Sequence, residues 1–160
     1  MMLLKFLLFS TLARLGSSTD RGSVYTVGHL TCKGEPYENQ PVRIYNKNYV
    51  YADTLWMDTM TDEHGNFSMK VYVWDYFPSN IIPYVYIPNF CGSVLSTGRR
   101  CSSGAMQINV PPEKIDNSHL PKLKFDLGNI ELHNNDYSER LGLGSILWGT
   151  FANTVECRDY

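Results

Sequence analysis

Between residues 66 and 73 the apolar side chains fall on every second position: Phe67, Met69, Val71 and Val73 alternate with Asn66, Ser68, Lys70 and Tyr72. Successive side chains of a strand point to opposite faces, so this run turns one face to a core and the other to solvent. A helix, with its period of 3.6 residues, does not gather such a set on one side. The same two-residue period returns in residues 23–32, where Val24, Thr26, Gly28, Leu30 and Cys32 oppose Tyr25, Val27, His29 and Thr31. It returns less regularly in residues 42–45 and 123–132, and residues 49–60 form a mixed, β-rich stretch. Residues 81–87 (IIPYVYI) are apolar on both parities, which predicts a strand covered on both faces, with Pro83 holding some backbone off the ladder and residues 105–110 as the partner. No segment carries helical periodicity of useful length. Turn-forming clusters at residues 33–41 (KGEPYENQP) and 61–65 (TDEHG), and the Pro111-Pro112 pair, divide the chain into about seven strands. The predicted fold class is all-β: a two-sheet antiparallel sandwich with an irregular C-terminal tail.

The ends of the chain behave differently. Residues 1–18 (MMLLKFLLFSTLARLGSS) combine an early Lys5, an apolar stretch and the small residues Gly16 and Ser18, which is the pattern of a secretory signal peptide. The run is broken by Lys5, Ser10 and Arg14 and falls short of the roughly 20 residues that span a bilayer. The expected organisation is a signal peptide over 1–18, a sandwich domain over 19–132 and a tail over 133–160 packed on the sandwich. In that tail Leu141, Leu143, Ile146, Leu147, Trp148 and Phe151 need cover, either from the sandwich or from a second copy, so a homo-oligomer is a possible partner arrangement.

Export gives the four cysteines their meaning. An even set in an oxidising compartment is expected to form two disulfides. Of the three possible pairings, Cys91 with Cys101 closes a nine-residue loop suited to joining two strands, which leaves Cys32 for Cys157. A zinc site is disfavoured, because there is no C-x-x-C and His29, His64, His119 and His133 share no short spacing. Asp53, Asp58 and Asp62 lack the density of a calcium loop, and Asp62 followed by Gly65 is what a β-turn requires. No metal and no cofactor is expected.

Charge excludes one class of partner. The chain carries 14 basic and 16 acidic residues; loss of Lys5 and Arg14 with the leader takes the net charge from −2 to −4. Nucleic-acid binding needs clustered Lys and Arg, and the adjacent basic pair Arg99-Arg100 reads as a solvated loop. For a hydrolase, neither G-x-S-x-G nor H-E-x-x-H is present. His29 and His119 are the candidate bases, and a lone histidine on a strand or loop is most often structural. No catalytic residue is assigned. Asn66-Phe67-Ser68 is an N-x-[ST] sequon whose alternation turns Asn66 and Ser68 outward, a candidate glycosylation site.

In order, the segments VGHLTC at 27–32, PVRIY at 41–45, the stretch from Asp53 to Asp58, TDEHGNF at 61–67, the Cys91 to Cys101 segment and FDLGNIEL at 125–132 resemble the nematode transthyretin-like family of small secreted proteins. The resemblance implies a prealbumin-like β-sandwich, an extracellular location and no catalytic residues established for the family as a whole. Hydroxyisourate hydrolases of the transthyretin fold end in a Tyr-Arg-Gly-Ser motif, whereas this chain ends Glu156-Cys157-Arg158-Asp159-Tyr160.

The function expected from these observations is that of a secreted, non-enzymatic binding protein contacting an extracellular protein, lipid or small hydrophobic ligand. Its alternatives are a carrier of a small hydrophobic molecule or lipid, and a hydrolase on the same fold. Aromatic and arginine side chains are over-represented at contacts, which makes Tyr37, Tyr76, Phe77, Arg99 and Arg100, all in or beside turns, the candidate ligand contacts.

Overall fold

The computed structural model describes residues 20–76, 80–93, 95–102, 104–133 and 155–159. Its strands are β1 (Arg21–Cys32), β2 (Glu35–Pro36), β3 (Pro41–Asn46), β4 (Thr54–Met60), β5 (Asn66–Trp74), β6 (Pro83–Pro88), β7 (Leu95–Ser96), β8 (Arg99–Cys101), β9 (Ala105–Asn109), β10 (Lys124–Glu131) and β11 (Cys157–Asp159). A single 3₁₀ turn, Pro112–Lys114, interrupts the connection from β9 to β10.

β1 is the spine of the first sheet. It pairs antiparallel with β5 along its length, antiparallel with the short β2 at Thr31 and Cys32, and parallel with β10. The second sheet runs β4-β3-β6-β9 and is antiparallel throughout. The seven long strands carry these two sheets, as the alternation predicts, and β6 pairs with β9 as expected. The parallel β1–β10 pair is the departure from a purely antiparallel sandwich. The long connection after β9 returns the chain to the first sheet in the same direction as β1, and such a crossover is what a parallel pair needs.

The core lies between the sheets. Val24 and Leu30 of β1, Phe67 and Met69 of β5, Val42 and Ile44 of β3, and Val85 and Ile87 of β6 are all buried there. Each such side chain contributes roughly 1.5–3 kcal/mol by leaving water. Gly28 makes room for one of them, because a Cβ at that position would stand 2.7 Å from the Phe67 ring. On β10, Phe125 and Leu127 pack on the core, and a bulge opposite Val27 and His29 then shifts the phase so that Ile130 is buried too. Gly128, at φ +66°, supplies the bulge's backbone conformation. β6 is buried on both faces: Val85 and Ile87 face the core, and Tyr84 and Tyr86 form a second cluster with Ala105 and Tyr45.

The cysteines join in pairs other than those expected. Cys32 is bonded to Cys91, and Cys101 to Cys157. The reason lies between Cys91 and Cys101, where β7 and β8 form a hairpin with positive φ at Thr97 and Gly98. Positive φ at both central residues is the two-residue turn that matches strand twist. This hairpin carries Cys101 away from Cys91 and sets it directly opposite Cys157 in the β8–β11 ladder. Cys91, just beyond β6, lies instead beside the end of β1, so its bridge ties one sheet to the other.

β11 is also held by side chains. Arg43 Nη1 donates to both carboxylate oxygens of Glu156, at 2.8 and 2.7 Å, and the Arg158 guanidinium lies 4.4 Å from the centre of the Phe90 ring. Leu141 to Phe151, expected to pack on the sandwich, and the expected leader over 1–18 lie outside the described residues.

Candidate functional site

The sandwich has two unlike ends. At the first, the turns after β1, β4 and β6 fold into the protein. Asp62 accepts hydrogen bonds from the backbone N–H of Asn66 (2.7 Å) and of His64 (3.0 Å), the backbone role expected of it at a turn. Those donors hold its carboxyl below the ordinary value. Gly65, at φ +77°, has no space for a Cβ, which would drive into the Leu30 carbonyl. Thr61 Oγ1 donates to the Tyr37 carbonyl at 2.5 Å and accepts from the Gln40 N–H at 2.9 Å, and the Gln40 amide donates to the Pro88 carbonyl. Burial pushes the Glu131 carboxyl up, but the N–H groups of His133, Gly34 and Lys33 outweigh it and hold it below its ordinary value.

At the other end the chain leaves β3 at Asn46 and crosses to β4 through residues 47–53. Asp53 pins the base of this loop: its carboxylate accepts from the Asn48 N–H at 2.8 Å and from the Tyr84 hydroxyl at 2.6 Å. Burial, and after it the Asp53 carboxylate, push the Tyr84 hydroxyl far above its usual range, so it stays protonated as the donor. Asn48 Nδ2 closes the loop on itself through the Ala52 carbonyl and Thr54 Oγ1. With the base fixed, the tip is left in solvent: Tyr49 is 68% exposed, Val50 80% and Tyr51 82%.

Facing that tip is the end of β5. Trp56 of β4 and Trp74 of β5 meet edge to face at 5.6 Å, and Tyr76, 75% exposed, stands against Trp74 at 5.1 Å with its plane turned by 84°. Asp75, between Trp74 and Tyr76 in sequence, is held in place, its carboxylate accepting from Asn46 Nδ2 at 3.0 Å and from the Tyr76 N–H at 2.7 Å. Asn46 in turn accepts from the Ile82 N–H at 2.7 Å, which ties in the chain entering β6. Loop, rings and Asp75 enclose an open cleft of about 680 Å³, with Lys47 and Asn80 also on its wall. That volume lies in the range of sites that take small ligands. Single exposed apolar residues are unremarkable, whereas a contiguous set at one end of a domain makes that end the candidate surface for binding.

Of the residues singled out in the sequence, Tyr76 lines this cleft and Phe77 lies outside the described residues. Tyr37 belongs to the opposite end, half-buried against the core. Arg99 forms an exposed ion pair with Asp159 at 3.0 Å, and Arg100 sits opposite Arg158 in the β8–β11 ladder. The candidates therefore do not converge on one surface. Tyr49, Tyr51, Trp56 and Trp74 also line the cleft and were not among the sequence candidates. The signal available was local, an aromatic pair framed by Asn48 and Asp53 and followed by Trp56, and it lay in a stretch read only as β-rich.

The two candidate bases are engaged elsewhere. His29 Nδ1 lies 3.0 Å from Asn129 Oδ1, and the His119 ring packs on Tyr72 at 4.2 Å. Among the described residues no group of three or more His, Cys, Asp or Glu is placed to hold a metal ion. Asn66 and Ser68 are exposed and Phe67 is buried, so the sequon faces solvent on the outside of the first sheet.

No curated protein matches the chain. Among solved structures, a 9R-lipoxygenase from Cyanothece PCC8801 is similar at 12% identity and a TM-score of 0.36, over 69% of this chain and 16% of that one. The chain thus spans about a sixth of that protein's length, and so partial a likeness says nothing about activity. The model of the transthyretin-like family (TTR-52) matches residues 27–111, more than half of the chain, from mid-β1 to β9, which takes in the whole β4-β3-β6-β9 sheet but not β10. On that match, and with the sandwich and its order of strands, the chain belongs to the transthyretin-like family.

Proposed function

We propose that the protein is a secreted, non-enzymatic binding protein that holds an extracellular ligand, free or on a cell surface, in the cleft between the 47–53 loop and the end of β5. The observation that carries this reading is the set of solvent-facing rings Tyr49, Tyr51, Trp74 and Tyr76 around a cleft whose base is fixed by Asp53 and Asp75. Fixed geometry lowers the ordering cost of binding, and exposed aromatic rings offer large contact area with few torsions to freeze. Family membership supports a non-enzymatic role, and two disulfides suit an oxidising compartment.

The test is a fragment library followed by ligand-observed saturation-transfer NMR on the full secreted chain. Hits that lose their signal in Tyr51→Ala and Tyr76→Ala support the cleft; hits indifferent to both changes, or no hits, overturn it. Expression in a eukaryotic host checks export in the same preparation, with a mature start near Thr19 expected. A glycan on Asn66 belongs to the same reading, and its mass should vanish in Asn66→Gln.

Carriage of a small hydrophobic molecule is the second reading, favoured by the aromatic share of the same wall. A lipid or sterol recovered by mass spectrometry from the purified protein would bring it forward.

A further inference from the structure

Resting on the cleft as the binding site, we infer that its ligand is a carbohydrate, a short oligosaccharide held by ring stacking and by hydrogen bonds to its hydroxyls. A pyranose presents two unlike surfaces, a flat patch of C–H bonds and a rim of hydroxyls that both donate and accept. The cleft presents their complements. Aromatic faces carry negative charge density and attract the weakly positive C–H patch, and Tyr49, Tyr51 and Tyr76 leave most of their surface open for it.

The rim is matched by Asp75 and Asn80. A carboxylate has about four acceptor positions; Asp75 spends two on Asn46 and on its own neighbour's N–H, which fixes its direction and leaves the others for hydroxyl donors. Asn80 is exposed on the same wall and offers both a donor and an acceptor.

The competing chemistries fit less well. A wholly apolar cargo gains by leaving water, and an open cleft with tyrosines 68–82% exposed encloses little of it. Such a cargo would also cover Asp75 without giving its carboxylate a partner. A flat polycyclic molecule is gripped between parallel rings, whereas Trp74 and Tyr76 stand 84° apart and form a corner. A sugar, thick and faceted, fits a corner. The volume, about 680 Å³, suits a short chain of sugars rather than a single ring.

The experiment uses the full secreted chain on a broad printed glycan array. Array hits are then titrated in solution as free oligosaccharides by indole fluorescence, beside an apolar probe, oleate. Saturable binding of at least one oligosaccharide is expected, weakened about tenfold or more in Tyr76→Ala and Tyr51→Ala and severalfold in Asn80→Ala, with oleate bound poorly. Asn80→Ala and Tyr51→Ala alter exposed positions, so they report on contact even where a change at Trp74 disturbs folding. Sugar binding indifferent to all three variants overturns the inference. Fragments or oleate held in the cleft with no oligosaccharide bound overturns it too, while leaving the binding-site reading in place. Nothing bound at the cleft by any probe removes both.

Discussion

The two ends of the sandwich are built from similar material and used in opposite ways. The 61–65 turn joins strands of different sheets and the 47–53 loop joins β3 to β4 within one sheet, and each is tied down by an aspartate: Asp62 at one end, Asp53 at the other. At the Asp62 end the turn residues face inward. Thr61 and Gln40 are buried and bonded to each other's chain, Gly65 packs on β1, and the Cys32–Cys91 bridge locks the sheets together. At the Asp53 end the same kind of anchoring holds only the base of the loop, and the apolar tip faces water. The closed end thus carries contacts that hold the fold, and the open end carries the exposed rings.

Removing the Cys32–Cys91 bridge should break this contrast most strongly. The bridge spans 59 residues and one of its cysteines is buried, so the Cys32→Ser, Cys91→Ser double variant should lose about 2–5 kcal/mol in denaturant unfolding. The Cys101–Cys157 bridge spans a similar 56 residues but, among the described residues, ties down the three-residue β11, which Arg43 and Arg158 also retain. Its double variant should lose less, and equal losses would show that β11 unfolds only with the whole domain. Next in size is Gly65→Ala. A Cβ must displace the Leu30 carbonyl at a backbone conformation that side chains rarely adopt, and a cost of about 1–3 kcal/mol is expected in thermal unfolding.

Acid should sharpen the comparison more gently. Asp62 and Glu131 both sit at the closed end with folded pKa values below the ordinary ones. A carboxyl lowered on folding stabilises the fold above its unfolded pKa, and the gain disappears as pH falls through the folded value. Stability should therefore decline below about pH 4. Asp62→Asn and Glu131→Gln should each flatten that decline in a series of melting curves from pH 7 to pH 2. The smallest effect belongs to the open end, where Tyr51→Ala and Tyr76→Ala should each shift stability by less than about 0.5 kcal/mol. A larger loss would mean that these rings hold the fold rather than a ligand.

The fold was largely legible because burial on one face imposes a period of two. Phe67, Met69 and Val73 face the core as their spacing predicts, and β6 is covered on both sides as its double parity requires. The disulfide partners were not legible, since the choice between Cys91 and Cys157 for Cys101 turns on a two-residue hairpin at Thr97-Gly98 that redirects the chain. Parallel entry of β10 was hidden for a similar reason: strand direction depends on the route of a connection, and alternation does not record it. The site was legible in part. Tyr76 stood beside a turn and was singled out, while Tyr37 in an equally polar turn proved to pack on the core. An aromatic residue in a loop reads the same whether the loop folds in or stands out.

The most direct measurement follows backbone amides and the indole N–H groups of Trp56 and Trp74 by two-dimensional ¹H–¹⁵N NMR while a bound oligosaccharide or fragment is titrated in. Shifts centred on residues 47–56, 74–76 and 80–82, with the Trp74 indole among the largest, are the expected result. Shifts centred on residues 33–40, 61–65 or 89–93 would contradict it, because binding would then lie at the closed end of the sandwich.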